Sequence, residues 1–499
     1  MTQTLSKLMH DDDCRFQYFE VLCSAIESFL DQVEERQPHA FNYRRANLRY
    51  AIERSLYFTF TESEQLYHFF WQAQTNELPH IMVVDNHLCQ EFATHLLRSV
   101  LGQRQIRVKQ NQLLQQWRDW LGDYWRSLFQ PASAACSNFG ADTLIYVTHP
   151  RFVRYLSSIT KQLSESYVYL VVSNPELKDF LKQQALPFIS RDINLTQNSF
   201  SHQSTLHHFR GLACFYDLVH EEILRLRPKR LLVVEGNAPE DEVVNQVCKQ
   251  LSIPVVCLQQ GWSPIIHNGF RNMSFTKMLV WGQGFATLLE PYNLQQSFVP
   301  VGNHILKQQA VETELFSKKD KAISFFLQAP NKLITQASWN QFIDLILWSA
   351  KTFDQTPIIV REHPRYKISD EFSYKIRGYK NVRFMPPDQA TLDEVLGQSL
   401  ISVSIYSSTI LESIAVGVLP VIVNITSMPK FLPDVCAARA GVEVQSIAAA
   451  KCALSDLIEQ PAALASHKLS IEVFKREYFS AVQNEAIENI VSEILSCAS

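Results

Sequence analysis

Apolar residues in the first segment recur at three- and four-residue steps: Phe16, Phe19, Leu22, Cys23, Ile26, Phe29 and Leu30, with acidic residues between them. That spacing predicts an amphipathic helix within a helical region running from Arg15 to about Leu66. Its polar face carries Glu20, Glu27 and Asp31, the wrong sign for anionic lipid, so core packing or a partner contact is expected. The period then changes. Short β-branched runs (Ile81–Asp85, Leu144–Thr148, Tyr167–Val172, Leu231–Glu235, Val255–Gln259, Met278–Trp281) alternate with longer amphipathic stretches. A second series follows the polar stretch Lys307–Lys321: Ile323–Leu327, Ile358–Arg361, Val382–Met385, Leu400–Ile405 and Leu419–Val423. Apolar strands separated by helices predict parallel sheets covered on both faces. The expected architecture is two doubly wound α/β domains in tandem, residues 76–305 and 306–499, behind a helical N-terminal extension, residues 1–75. Ala462–Leu495 reads as helix, with Ile471, Phe474, Tyr478 and Val482 on one face, returning to the first sheet domain. Asn194–His208, rich in Ser, Asn, Gln and His, is the candidate mobile loop.

Composition narrows the class. A chain of 499 residues has room for two or three domains. Its 46 basic against 50 acidic residues give a net charge of −4, without the excess that neutralises nucleic-acid phosphates. No apolar run reaches the length of a bilayer-spanning helix, and Met1–Asp13 is polar and acidic, so a cytoplasmic protein is expected. The 10 cysteines are scattered without a C-x-x-C pair, which suits reduced thiols and no structural metal. Phosphate-loop, dinucleotide, nucleophile-elbow and zincin motifs are absent, and the one D-x-D lies at the polar terminus.

In open α/β sheets ligands bind beyond the carboxyl ends of the strands, so the residues after each strand are the ones that can carry chemistry. Four places qualify. Arg361, His363 and Arg365 follow the strand at Ile358, with Pro364 fixing the turn; they can donate hydrogen bonds to a phosphate or stand as a solvated surface turn. Ser407, Ser408 and Thr409 end a strand and open a helix, offering hydroxyls and free N–H groups to an anion, while Thr409-x-x-Glu412 is equally a capping box. Glu235 ends an apolar strand before Gly236, placed for a raised pKa and general-base work; Glu240, Asp241 and Glu242 read more simply as the first turn of a helix. Gly236, Gln260, Gly261 and Trp262, with His267 beyond them, can line an inter-domain cleft, as can His149 at a strand end of the first sheet; twin glycines follow Trp281. His267 is a candidate proton carrier, or simply a hydrogen-bonded side chain.

The order of these pieces resembles the nucleotide-binding half of GT-B glycosyltransferases: His363-Pro364 after the second C-terminal strand, then strand, Ser407-Ser408 and Glu412, then Gly417-Val-Leu-Pro-Val-Ile. In particular it is similar to bacterial sialyl- and Kdo-transferases that use CMP-activated acids in lipopolysaccharide and capsule synthesis. The resemblance implies a GT-B fold with two Rossmann-like domains facing a cleft, a nucleotide-sugar donor, no metal or other cofactor, and a surface glycan or glycolipid as acceptor. It implies a cytoplasmic enzyme, peripheral to the inner membrane or to a polysaccharide-assembly complex. Carried over, it gives His363, Ser407 and Ser408 to the donor phosphate and the segment 385–391 to the base. The acidic-acidic-Gly motif of the sialyltransferases falls on Val234-Glu235-Gly236, where the first acid is missing. CDP-glycerol polyol-phosphate transferases and UDP-GlcNAc 2-epimerases share related patterns, and a GT-B-shaped scaffold subunit is the non-enzymatic alternative.

Overall fold

The computed structural model describes residues 15–62, 81–84, 91–96, 107–110, 140–193, 209–263, 266–306, 321–328, 330, 334–363, 368–405, 407–426 and 433–497. Pro364, Arg365 and the segment 194–208 lie outside the described residues. The chain opens with α1 (Arg15–Arg36), an antiparallel turn of β1 (Asn42–Tyr43) and β2 (Ala46–Asn47), and α2 (Arg49–Glu62). Leu22, Cys23, Ile26, Phe29 and Leu30 of α1 are buried in one continuous core with Val243, Val247 and Phe270 of the following domain. The periodic apolar face is therefore a packing face. β3 (Ile81–Val84) pairs in parallel with β4 (Arg107–Gln110) as a separate two-stranded sheet, which corrects the expectation that it belongs to the first large sheet. An apolar run of four residues specifies a strand but not the sheet it joins.

The first domain alternates β5 (Thr143–Tyr146), α3 (Pro150–Thr160), β6 (Tyr167–Val172), α4 (Pro175–Gln183), β7 (Phe188–Arg191), α5 (Arg210–Leu226), β8 (Arg230–Val234), α6 (Pro239–Gln250), β9 (Val255–Leu258), β10 (Lys277–Val280), α7 (Gln283–Leu289) and β11 (Phe298–Pro300). The seven strands are parallel, in the order β11-β10-β9-β8-β5-β6-β7. β8 shows why such strands read as unbroken apolar runs. Leu231 and Val233 enter the core on one face, Leu232 and Val234 the core on the other.

The second domain follows with β12 (Ala322–Phe326), α8 (Gln336–Thr352), β13 (Ile358–Arg361), α9 (Asp370–Arg377), β14 (Val382–Met385), α10 (Leu392–Gly397), β15 (Ser399–Ser404), α11 (Thr409–Ala415), β16 (Leu419–Val423), β17 (Val442–Val444) and α12 (Ile447–Glu459). Its parallel order is β14-β13-β12-β15-β16-β17. Counted from the first strand of each sheet, both domains run 3-2-1-4-5-6, and the first adds a seventh strand at its edge. This is the Rossmann order, and each sheet has one switch point: between β5 and β8, and between β12 and β15. The strands of the two large sheets that the apolar pattern misses, β7, β11 and β17, are short, mostly half-buried and at sheet edges.

Two helices close the chain. α13 (Pro461–Tyr478) packs on α11, α12 and β16 of the second domain and on α7 of the first. α14 (Gln483–Ser496) lies against α3, where Lys277 Nζ meets Glu493 at 2.7 Å and buried Arg230 Nε donates to the Cys497 carbonyl at 2.8 Å. At the junction, Ser480 N donates to Trp281 O and Asn303 N to Ala481 O, both at 2.9 Å. The twin glycines after Trp281 lie against Glu477 and Tyr478, where they make room for the crossing chain. No described helix is long and apolar enough to cross a membrane.

Gly302 has φ +95, and a β-carbon there would collide with the Ala481 carbonyl. Gly302→Ala is expected to cost on the order of 1–3 kcal/mol and to make the α13–α14 junction sensitive to limited proteolysis. Gly211→Ala, where a β-carbon meets nothing within 4 Å, is the control and should hold to within about 0.5 kcal/mol in thermal unfolding.

Candidate functional site

The first switch point is occupied by a carboxylate in an unusual backbone conformation. Glu235 follows β8 with φ +67, and Gly236 follows with φ +69. Two consecutive left-handed residues swing the chain sharply off the sheet, at roughly 1–2 kcal/mol for the non-glycine one. Gly236 is obligatory, because a β-carbon there would lie 2.5 Å from Cys257 Sγ and 2.8 Å from Phe275. The Glu235 amide donates to Leu258 O at 2.9 Å, tying the turn to β9. Strain of this kind on a non-glycine residue persists only where the surroundings impose it, and it gathers at functional sites.

The Glu235 carboxylate meets Arg151 Nη2 at 3.3 Å, a contact spanning the ends of β5 and β8. Its Oε1 lies against Gly261, where a β-carbon would approach to 3.1 Å. Burial raises its pKa above the ordinary glutamate value, and Arg151 opposes the shift. Arg151 is a residue the sequence reading did not pick out. A cation in the first turn of α3 sits at the wrong end of the helix dipole and needs a nearby anion, which is the signal that could have found it. His149 caps the same helix, its Nδ1 accepting from Arg151 N at 3.0 Å while the side chain stays exposed. It therefore stands on the rim beside Arg151.

Behind β9, buried Gln259 fixes the wall. Its side-chain oxygen accepts from Trp281 N at 3.0 Å, and its carbonyl accepts from Tyr155 Oη at 2.6 Å and Trp281 Nε1 at 3.2 Å. Gln260 and Gly261 follow, partly exposed, and Trp262 packs on Phe270 and Phe285 at 6.5 and 4.7 Å between ring centroids. His267 has a different role from the proton carrier expected. Its Nδ1 accepts from Gly269 N at 3.0 Å, its ring stacks on Tyr57 at 4.5 Å, and burial pulls its pKa to about 3. An imidazole held neutral in an aromatic cage, with one nitrogen spent on a cap, is suited to shaping the loop 266–272.

Should the carboxylate not be Glu235, the sequence offers Asp217, Glu240 and Asp241, and these separate by their contacts. Asp217 is engaged by Tyr43 Oη at 2.7 Å and Arg44 Nε at 2.9 Å, which fasten the β1–β2 turn. Asp241 accepts from Ala238 N at 3.1 Å, and burial raises its pKa to about 8. Glu240 is also raised by burial. Glu235 is the carboxylate that pairs with a half-exposed partner at the strand ends.

In the second domain, His363 closes the short run after β13 and is half-buried. Arg361, expected near the donor phosphate, has its side chain turned to the backbone of the neighbouring segment. It is buried, and Nη1 donates to Ala390 O at 2.6 Å, because it ends the strand beneath the segment 385–391 and supports that segment from inside. Glu362, unforeseen from sequence, accepts from Ile368 N at 2.6 Å and closes the loop that carries His363. At the second switch point Ser407 Oγ accepts from Thr409 N at 3.2 Å and donates to Thr409 Oγ1 at 2.9 Å. The expected capping box with Thr409 as the cap does not form, because Ser408 is the N-cap and Thr409 the first helical residue, whose side chain hydrogen-bonds to the Glu412 carboxylate. Ser408 is left exposed, and Glu412 is pushed by burial to about 7.

No protein-family model matches the chain, and no curated protein sequence does. Several solved structures share the chain trace. UDP-GlcNAc 2-epimerase from Neisseria meningitidis, bound to UDP-GlcNAc, is 14% identical with a TM-score of 0.46, covering 71% of this chain and 99% of its own. MurG of Acinetobacter baumannii is 12% identical with a TM-score of 0.47, over 71% and 99%. Phytolacca americana UGT2 is 11% identical with a TM-score of 0.46, over 72% and 100%. The strand orders of the chain itself define the class: two Rossmann-like parallel α/β domains in tandem, the GT-B fold.

Asp241 gives this site a pH signature. Its folded pKa of about 8 lies above its unfolded value, so between about pH 4 and 8 the folded state holds a proton that the unfolded state releases. Stability contributed by Asp241 therefore falls as pH rises through that window. Asp241→Asn keeps an acceptor for Ala238 N and is expected to flatten the decline in thermal midpoint between pH 5 and pH 8.

Proposed function

We propose that this chain is a nucleotide-sugar-dependent glycosyltransferase that moves an acidic sugar, Kdo or sialic acid, from a CMP-linked donor to a bacterial surface glycan or glycolipid. The observation carrying this reading is the Glu235 carboxylate, held in a strained turn at the first switch point and facing Arg151. An acceptor hydroxyl entering there loses its proton to Glu235, its oxygen bonds to the anomeric carbon, and the bond from that carbon to the nucleotide phosphate breaks. The departing phosphate gathers negative charge, which His363, Arg365 and the hydroxyls of Ser407 and Ser408 neutralise in place of a divalent metal. Glu412 and the segment 385–391, supported by Arg361, take the rest of the nucleotide. Arg151, with 45% of its side chain exposed, retains donors that suit a sugar carboxylate. A lipid-linked acceptor would bring the protein to the cytoplasmic face of the inner membrane.

Three measurements test the reading. Glu235→Gln should lower turnover by about 10²–10⁴-fold and leave nucleotide affinity unchanged, whereas His363→Ala should weaken both; full turnover in Glu235→Gln overturns the assignment. In thermal-shift comparison CMP should stabilise more than CDP, UDP or GDP. A CDP preference points instead to polyol-phosphate transfer, and a UDP preference to a UDP-sugar transferase or epimerase. Turnover should survive EDTA.

A further inference from the structure

The helix α2 grips the turn after β8, at the first switch point, together with the loop after β9. Arg54, fully buried, donates from Nη1 to Gly236 O at 3.1 Å and to Ala238 O at 3.3 Å. Its Nη2 faces Glu242 Oε2 at 3.2 Å, and both side chains are 0% exposed. One residue earlier, buried Glu53 accepts from Asn268 Nδ2 at 2.8 Å, and one turn later Tyr57 stacks on His267. Residues 53, 54 and 57 therefore share one helix face, which reaches the turn after β8 and the loop after β9 together. A fully buried guanidinium is an expensive device for packing alone, because apolar side chains fill such space without desolvating a charge. Its geometry has a narrower use, since its two carbonyl acceptors, Gly236 O and Ala238 O, lie within and directly after the left-handed turn that carries Glu235.

We propose that Arg54 is a positioning residue of the active site: by holding the carbonyl oxygens of Gly236 and Ala238 from behind, it keeps Glu235 left-handed with its carboxylate toward Arg151 and Gly261. The N-terminal helices are then part of the site. This inference rests on Glu235 being the base, as proposed above. Without Arg54 the strained turn relaxes, since Glu235 gains by leaving the left-handed region. The carboxylate then moves into water.

The test uses the full chain with Arg54→Met/Glu242→Met, which removes both buried charges and leaves apolar side chains of similar length. A second variant, Arg54→Lys, keeps the charge but lacks the planar fork that reaches the two carbonyls with one nitrogen and Glu242 with the other. Both are expected to lose at least tenfold in kcat, with KM for the donor and nucleotide affinity unchanged. In ¹³C-carboxyl NMR, with Glu235 assigned by its loss in Glu235→Gln, the Glu235 titration should move down toward that of an exposed glutamate. Wild-type kcat and an unmoved titration in whichever variant folds overturn the proposal. If the wild type transfers no sugar from any donor, the functional reading has failed, and the Glu235 titration alone decides: a downward shift supports Arg54 as the residue that holds the turn, and no shift overturns it.

Discussion

The constraint on which this site depends is the reversal of strand order between β5 and β8. The connections leaving the two strands pass to opposite faces of the sheet, and the gap between them is where side chains can meet a ligand without displacing backbone. Everything described at the first domain's edge is arranged around that gap. Arg151 starts the helix on one side, Glu235 leaves the strand on the other, and the ion pair between them bridges it. The left-handed turn at Glu235 and Gly236 keeps the carboxylate at the gap, where a continued strand would have carried it past.

Such a turn is unstable by itself and has to be imposed. Three kinds of contact impose it: the Glu235 amide on Leu258, the absence of a side chain at Gly236 where Cys257 and Phe275 leave no room, and Arg54 on the carbonyls behind. The surrounding shell is polar and dry, with Glu53, Arg54, Asp241, Glu242 and His267 all buried. Burial holds His267 neutral and keeps Asp241 protonated to about pH 8, so the charge inside this shell is smaller than its composition suggests. The second domain is built more conventionally. Arg361 braces the segment 385–391, Glu362 holds the backbone at Ile368, and Ser407 Oγ accepts from Thr409 N at the switch point.

The two domains are joined twice, once by the chain leaving β11 and again by α13 and α14 returning. The return fixes the C-terminal helix on the first sheet through Lys277, Arg230 and the contacts of Trp281 and Asn303 with residues 480–481. Glycines at 282 and 302 make this possible because the crossing backbone approaches closer than any β-carbon allows, and Gly284 gives the same room to the Tyr478 ring. Their role is invisible in the local sequence, where a glycine after a strand reads equally well as a ligand contact.

The sequence by itself determined the two parallel sheets, because unbroken apolar runs such as Leu231–Val234 occur where both faces are covered, and it determined the packing face of α1 through its helical period. It also pointed to Glu235, since a carboxylate ending a buried strand has no ordinary reason to be there. Only the tertiary structure decided which polar residues act together, because those pairings join segments far apart in the chain: Arg151 with Glu235, Arg54 with Gly236 and Ala238, Tyr57 with His267, Arg361 with Ala390. Periodicity reports the face a side chain occupies. Which partner waits on that face is set by strand order and helix docking, and these are properties of the whole fold.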